Sequence, residues 1–366
     1  MRNIVCDVPA LRFPEFTGEW ERHKLSEVCS FYSGGTPSSS KKEYYNGNIP
    51  FIRSGELHKD YTELFITEAG LSNSAAKLVE TGDLLLALYG ATSGDIAISK
   101  IKGAINQAIL CIRTKQNKKF IESVWNKHVE RLLQTYLQGG QGNLSADIVK
   151  NIPFYFANSN EQDKLAKFIS LLDERIATQN KIIEKLETLI KGIIETVISS
   201  QKPNTLIKNC LECNSSTLQE SQVAETGTFS VYGATGISGY TETADINGES
   251  ILIIKDGSSV GIVKFVTGEY SYIGTLNSLI AKDGYCLKYI YFALQRFSFE
   301  PYKTGMAIPH IYFKDYGKAK IYCPSLSLQT LIAQKLSLIE NKMEVEKRII
   351  LCYQLQKSYL LSRMFI

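Results

Sequence analysis

The chain of 366 residues is short of the residue types that usually announce chemistry. It has four histidines, two tryptophans, four methionines and nine prolines. The histidines, at 23, 58, 128 and 310, are far apart in sequence, and only Cys210 and Cys213 among eight cysteines form a C-x-x-C. A zinc site needs a second ligand pair near the first, so the cysteines read as free thiols of a reducing compartment. No apolar run approaches the length of a membrane span, roughly 18 residues or more. The first residues, MRNIVCDVPALRF, lack the apolar core of a secretory signal, so a soluble, cytoplasmic protein is expected.

Excess charge of one sign is also missing. Lys and Arg number 41 against 37 Asp and Glu. Regions 1–158, 159–202, 203–325 and 326–366 carry net charges of +2, 0, −1 and +3. A domain that binds nucleic acid by charge alone is more basic than this. Catalytic signatures are absent too. There is no phosphate-binding G-x-x-x-x-G-K-[ST]. Gly233, Gly236 and Gly239 open no helix, so no dinucleotide fingerprint is supported. No Asn/Asp-Pro-Pro-Tyr/Phe loop occurs, and Ser, His and Asp form no recognisable triad. The lone Glu340-x-Lys342 lies inside a helical pattern and reads as a solvated face. The chain reads as a scaffold or a reader, not an enzyme.

What it does have is a repeat. Apolar residues recur in steps of four and three at Leu165, Ile169, Leu172, Ile176, then Gln179, then Ile183, Leu186, Ile190, Ile193 and Val197. Adding 167 gives Ile332, Leu336, Ile339, Met343, then Glu346, then Ile350, Tyr353, Lys357, Leu360 and Met364. Both series are coiled-coil seams, each interrupted by a polar residue at the same place. Each predicts a helix of roughly 40 residues, about 60 Å long. Such seams must be buried. The favoured partner is the other helix, antiparallel and related by a pseudo-twofold axis, with Gln179 and Glu346 setting register. The alternative is that each helix packs on its own domain.

The segments before the helices echo each other. Gly82-Asp83-Leu84-Leu85-Leu86 resembles Gly248-Glu249-Ser250-Ile251-Leu252, and the stretch 104–109 resembles 274–279 at an offset near 170. Tyr-Gly-Ala-Thr at 89–92 and 232–235 sits at an offset of 143 and reads as coincidence. Short apolar runs between turn signals, among them Ile49–Ile52, Ile251–Ile254 and Ile311–Phe313, predict strands over 20–156 and 205–324. Helices are expected near 120–137 and 286–298, and the aromatic residues of 285–302 are expected to be core. The fold class is α+β: two β-rich domains (1–158 and 203–325) separated by two long antiparallel coiled-coil helices (159–202 and 326–366).

Together these segments resemble the DNA-specificity (S) subunits of type I restriction–modification systems. The resemblance rests on Phe13–Trp20 with Leu25, on Ser33–Pro37, on Gly47–Leu57, and on Gly82–Leu85 with Asn106–Ala108. Gly142-Asn143-Leu144, Ile152-Pro153-Phe154 and Glu161-Gln162 complete it. The second half departs from the pattern: Leu328-Gln329 stands for Glu-Gln, Pro309-His310-Ile311 for the Asn143-Leu144 region, and nothing matches Trp20. The resemblance implies two target-recognition domains, each reading one half of a bipartite site in double-stranded DNA, with the helices as a ruler for the spacer. It implies two modification (methyltransferase) subunits and restriction subunits as partners. S-adenosylmethionine, ATP and Mg would belong to those partners. Two other readings stay open: a coiled-coil adaptor that binds proteins, and the reader of a related type IIB-like system that cuts on both sides of its site.

Base readout needs hydrogen-bonding side chains on exposed loops, and glycines let the backbone approach phosphates. In the first domain the candidates are Ser33, Gly34, Gly35, Thr36, Lys41, Arg53, Ser54, His58, Tyr89, Thr92, Gln141 and Asn143. In the second they are Tyr232, Thr235, Tyr240, Lys255, Ser258, Lys303, Thr304 and His310. Arg53 is the first choice for guanine. Lys41 and Lys303 suit phosphates, and Lys118 and Lys119 read as solvated charge.

Overall fold

The computed structural model describes residues 8–137 and 143–366. It divides into two compact units. The first runs to Gln179 and includes Ile349–Ile366; the second is Asn180–Arg348.

The first unit begins with β1 (Glu21–Lys24), the one-turn helix α1 (Leu25–Val28) and β2 (Cys29–Ser33). Then come β3 (Tyr45–Ile52), β4 (Phe65–Ile66), α2 (Glu68–Ser72), β5 (Lys77–Val79), β6 (Leu84–Ala87), β7 (Ile96–Ile98), β8 (Gly103–Ile105) and β9 (Ile109–Thr114). The helices α3 (Lys118–Leu137) and α4 (Ala146–Asn151), strand β10 (Pro153–Phe156) and the long helix α5 (Ser159–Ile194) follow. One sheet has the order β2-β9-β6-β7 and a second the order β4-β3-β8-β5, while β1 pairs with β10. The run Leu84-Leu85-Leu86-Ala87 is apolar throughout because β6 is covered on both faces. Leu84 and Leu86 join the core under α3, whereas Leu85 and Ala87 join the smaller core beside Ile52 and Ile105. Burying each leucine stabilises the fold by about 1.5–3 kcal/mol.

The second unit repeats part of this plan. Its elements are β11 (Thr205–Leu206), α6 (Ile207–Cys210), β12 (Leu211–Ser215), β13 (Phe229–Gly233), β14 (Gly236–Thr241), β15 (Ile246–Ile254), β16 (Val263–Tyr272) and β17 (Leu276–Ala281). They end with α7 (Leu287–Gln295), α8 (Phe313–Tyr316), β18 (Lys320–Ile321) and the long helix α9 (Leu326–Met364). The sheet order is β12-β17-β15-β16-β13-β14, and its first four strands reproduce β2-β9-β6-β7. Register repeats as well. Leu84 pairs with Ile112, and their counterparts at the offset of the helical seams, Ile251 and Leu279, pair with each other. This revises the offset near 170 expected for 104–109. Strand β9 starts at Ile109 and β17 at Leu276, the same offset as the seams, so Asn106 and Asn277 are not equivalent. The Leu25 N–H bonds to Ile152 O as the Ile207 N–H bonds to Ala319 O. The strand expected at Ile311–Phe313 does not form. Ile311 makes one backbone bond to Lys255 O, and the chain turns into α8 at Phe313. Tyr289, Phe292 and Phe299 are buried, as expected for the aromatic stretch.

Helices α5 and α9 have 36 and 39 residues, far beyond an average helix. Each contributes to both units. In the first unit Leu165, Ile169 and Leu172 of α5 share a core with Leu360 and Met364 of α9 and with Phe365 beyond it. Lys357 Nζ lies 2.5 Å from Asp173, and Arg175 donates to Tyr353 Oη at 3.2 Å. Numbers rise along one helix as they fall along the other, so these segments run antiparallel. In the second unit Ile190, Ile194 and Ile198 share a core with Ile332, Ala333 and Leu336. Ile176, Gln179, Ile183, Leu186, Ile339 and Met343 are half-buried, and Glu346 and Ile350 are buried. Glu346 is ion-paired with Lys342 one turn earlier. The α5 seam departs from expectation at its end: Val197 is exposed, and Ile194 and Ile198 are buried in its place. The turn Glu195–Ser199 is π-helical, and its extra residue per turn carries the buried position from Val197 to Ile198.

Candidate nucleic-acid interface

In the first unit the loop after β6, Leu88–Asp95, is fixed by its own chemistry. Gly90 and Gly94 have φ of +77° and +86°, the left-handed region that favours glycine. Gly94 N–H bonds Ala87 O at 2.9 Å, Gly94 O accepts the Trp125 indole N–H at 2.7 Å, and the Ser93 hydroxyl donates to Leu88 O at 3.0 Å. Tyr89, Gly90 and Ala91 are exposed on this frame, and Thr92 is half-buried. His58 Nε2 lies 2.8 Å from Asp95 Oδ1. That hydrogen bond raises the His58 pKa against the opposing effect of burial. Lys100 Nζ donates to His58 O at 2.8 Å. Asn143 is exposed beside Leu144, whose N–H bonds to Leu88 O at 3.0 Å. His58, Tyr89, Thr92 and Asn143 are thus brought together. Gln141 lies outside the described residues.

Other candidates in this unit have internal duties. A Cβ on Gly34 would sit 1.8 Å from Ile105 O, and one on Gly35 would sit 2.5 Å from the Ala75 Cβ. These glycines, next to half-buried Ser33, are required by close backbone packing. Exposed Thr36 hydrogen-bonds to Gln107 at 2.5 Å. Lys41 reaches the Tyr44 hydroxyl at 2.9 Å. Arg53 grips Glu56 through two nitrogens, at 3.2 and 2.9 Å, and Glu63 at 2.9 Å. Burial alone would push the Glu56 carboxyl up; Arg53 and two backbone N–H groups reverse this and hold it at about 2. Arg53 therefore pins the turn that opens at Ser54. Lys118 is ion-paired to Asp83, and Lys119 to Glu122 and Asp173, so both are part of the framework.

The second unit carries the same loop, Lys255–Ile262. Gly257 and Gly261, the counterparts of Gly90 and Gly94 at the seam offset, have φ of +103° and +92°. The backbone bonds match: Leu88 N–H to Ala108 O becomes Lys255 N–H to Thr275 O, and Leu144 N–H to Leu88 O becomes Ile311 N–H to Lys255 O. His310 therefore occupies the place of Asn143, and Asp256, not Tyr232, that of Tyr89. The 89–92 and 232–235 identity is coincidental, as expected. His310 Nδ1 lies 2.7 Å from Asp256 Oδ1, and His310 exchanges backbone bonds with Thr304. Ser258 is exposed on the loop, and Lys303 pairs with Glu300. Strands β13 and β14 form a hairpin with exposed Thr235 at its tip. The Tyr232 ring sits edge-on to Tyr270 at 5.5 Å, with Lys264 Nζ 4.6 Å from its centre. Tyr232, Thr235, Ile262 and Lys264 line a cavity of about 140 Å³. Tyr240 is a half-buried strand residue whose backbone pairs with Ala224 and Ser230. Asp95, Lys100, Asp256, Lys264 and Ile262 were not anticipated. The signal available for the loops was Gly-x-x-x-Gly at 90–94 and 257–261, recurring at the seam's own offset.

The architecture is that of a duplicated reader: one β-rich plan and one glycine loop, each occurring twice. The family profile described as the Type I restriction modification DNA specificity domain matches residues 17–188 and 207–351, and the chain belongs to this family. It is 27% identical over 187 residues to the type I restriction enzyme EcoR124I/EcoR124II specificity subunit of Escherichia coli, covering 48% of this chain and 45% of that one. It is 24% identical over 198 residues to the MjaVIII specificity subunit of Methanocaldococcus jannaschii, covering 53% and 44%. These matches span less than half of those relatives. A match to the EcoprrI specificity subunit of Escherichia coli, at 21% identity over 350 residues, covers 84% of each chain. Among solved structures, the type I S subunit from M. genitalium has the same fold: TM-score 0.68 and 17% identity over 98% of this chain and 99% of that one. A chain from a structural study of complex assembly and conformational transition of the type I R-M system gives a TM-score of 0.55 at 14% identity, over 94% and 97%. The family match favours a DNA reader over a coiled-coil adaptor.

Proposed function

We propose that this chain is the sequence-reading subunit of a type I restriction–modification complex in the cytoplasm. Each unit reads one half of a bipartite site in duplex DNA. The carrying observation is the glycine loop found in both units on the same strands with the same backbone bonds. A duplicated reading loop suits a split target, because two readers held at fixed separation convert geometry into a fixed spacer. In this reading α5 and α9 pair antiparallel along their whole length, with Gln179 and Glu346 near the middle. Two methyltransferase subunits and the restriction subunits assemble on the chain. S-adenosylmethionine, ATP and Mg act on those partners, and the chain catalyses nothing. Near-neutral charge fits a reader that shares phosphate contacts with its partners.

The test is methylome mapping in cells that express this chain with an adenine methyltransferase partner. A two-part methylated motif with an unspecified centre is expected. A motif unchanged after Ser258→Ala, Thr235→Ala and His310→Ala in the second unit would refute the assignment of that unit's loops. The isolated chain should bind DNA weakly in a gel shift and the complex tightly.

A further inference from the structure

Residues Gly305–Pro309 of the second unit form a closed finger. At its base Thr304 and His310 exchange both backbone hydrogen bonds, at 2.9 and 2.8 Å. Gly305 has φ of +88°, and a Cβ there would meet Ile308 O at 2.4 Å, so the finger is tightly folded. It is fastened to the glycine loop by His310–Asp256 at 2.7 Å and by Gly257 N–H to Pro309 O at 3.0 Å. Its tip is apolar. Met306 is 106% exposed and Ile308 58%. Ile262, at the end of the glycine loop, is 59% exposed and lines the cavity shared with Thr235 and also the one shared with Lys303. Lys255 opens the glycine loop to which the finger is fastened, Lys264 lies over the Tyr232 ring and Lys303, ion-paired with Glu300, comes just before the finger. Single exposed apolar residues are ordinary. Two of them side by side on a tip whose base is fastened by four hydrogen bonds, with lysines on the adjoining segments, are the form of side chains that wedge between base pairs.

We propose that this finger is a DNA wedge. Met306 and Ile308 enter the half-site read by the second unit, unstack one base step and bend the duplex there. The inference rests on the reading role proposed above. Kinks of this kind run from roughly 20° to 90°. Pyrimidine–purine steps yield most easily, so the half-site should prefer a TA or CA/TG step at the wedge even without a base hydrogen bond there. The corresponding stretch of the first unit falls on residues 138–142, outside the described residues.

The experiment uses the full chain with its methyltransferase partner on a duplex carrying the mapped site. End-to-end fluorescence energy transfer reads the bend, and 2-aminopurine scanned through the second half-site reads unstacking. The wild type should bend the duplex, with a fluorescence rise at one step. Met306→Ala/Ile308→Ala should lose both and bind about tenfold more weakly, the loss typical of one base-pair contact. Met306→Leu should retain them. Specific binding by the wild type without a bend, or a bend unchanged in the double variant, overturns the wedge. So does a double variant that bends DNA normally but fails to bind its partner, which makes the tip a protein contact. Absence of any specific binding by the wild-type complex is a separate result and overturns the reading role itself.

Discussion

Gln162 and Gln329 perform the same task, one at the head of each long helix. Gln162 Oε1 accepts the Asn117 N–H at 3.1 Å and its Nε2 donates to Ala157 O at 2.7 Å. Gln329 Oε1 accepts the Cys286 N–H at 3.0 Å and its Nε2 donates to Pro324 O at 2.8 Å. Both side chains are buried. Each ties the first turn of a long helix to the strand before it and to the start of the packed helix α3 or α7.

Replacing either glutamine by leucine leaves a buried N–H and a buried C=O without a partner. The expected loss is about 2–4 kcal/mol of stability. Denaturant melts should register it. Hydrogen exchange should place the loss near 117–121 for Gln162→Leu and near 286–290 for Gln329→Leu. Equal exchange at both sites in both variants would contradict the assignment.

The preceding residue shows how far the sequence could be read. Glu161 is 1% exposed and accepts from Arg12 Nε and Nη2, at 2.7 and 2.6 Å, whereas Leu328 in the same place is exposed. The departure from Glu-Gln was visible, but its cause was not, because Arg12 lies 149 residues away. Long periodic features such as α5, α9 and their common offset were legible because a seam repeats its signal every turn. The reading loops were legible as turns. Their internal partners were not: nothing local to Arg53 reveals that Glu56 and Glu63 fold back onto it, or that Ile105 presses on Gly34. The π turn that moves the seam from Val197 to Ile198 leaves no periodic trace either.

Gly34→Ala separates packing from DNA contact. With Ile105 O at 1.8 Å, the added methyl must displace a buried strand. A strongly lowered melting temperature is expected, with loss of the first half-site following from misfolding. Normal stability with weakened DNA binding would restore Gly34 as a DNA contact.

His58 should titrate above its ordinary 6.5, because its bond to Asp95 outweighs burial. The sign follows from linkage: the pair's contribution to stability is complete below the ordinary value and is lost as pH rises through the folded-state value. Asp95→Asn should bring the midpoint down and flatten the pH dependence. Histidine NMR titration reads both, and an unchanged midpoint in Asp95→Asn would show that the pair does not form.

The helices supply the sharpest test of the proposed function. On full-length antiparallel pairing, each added helical residue separates the two readers by about 1.5 Å, and each base pair spans about 3.4 Å. Seven residues inserted in α5 after Gln179 and seven in α9 after Arg348, where each helix passes from one unit to the other, add two turns, which preserves rotational phase, and lengthen the rod by about 10 Å. The unspecified spacer should grow by about three base pairs while both half-sites stay the same. An insertion of three or four residues in each helix adds a single turn and should shift the spacer by one or two. Methylome mapping distinguishes these outcomes directly. A spacer that keeps its length in both insertions would mean that something other than α5 and α9 sets the distance, even if each half-site is still read.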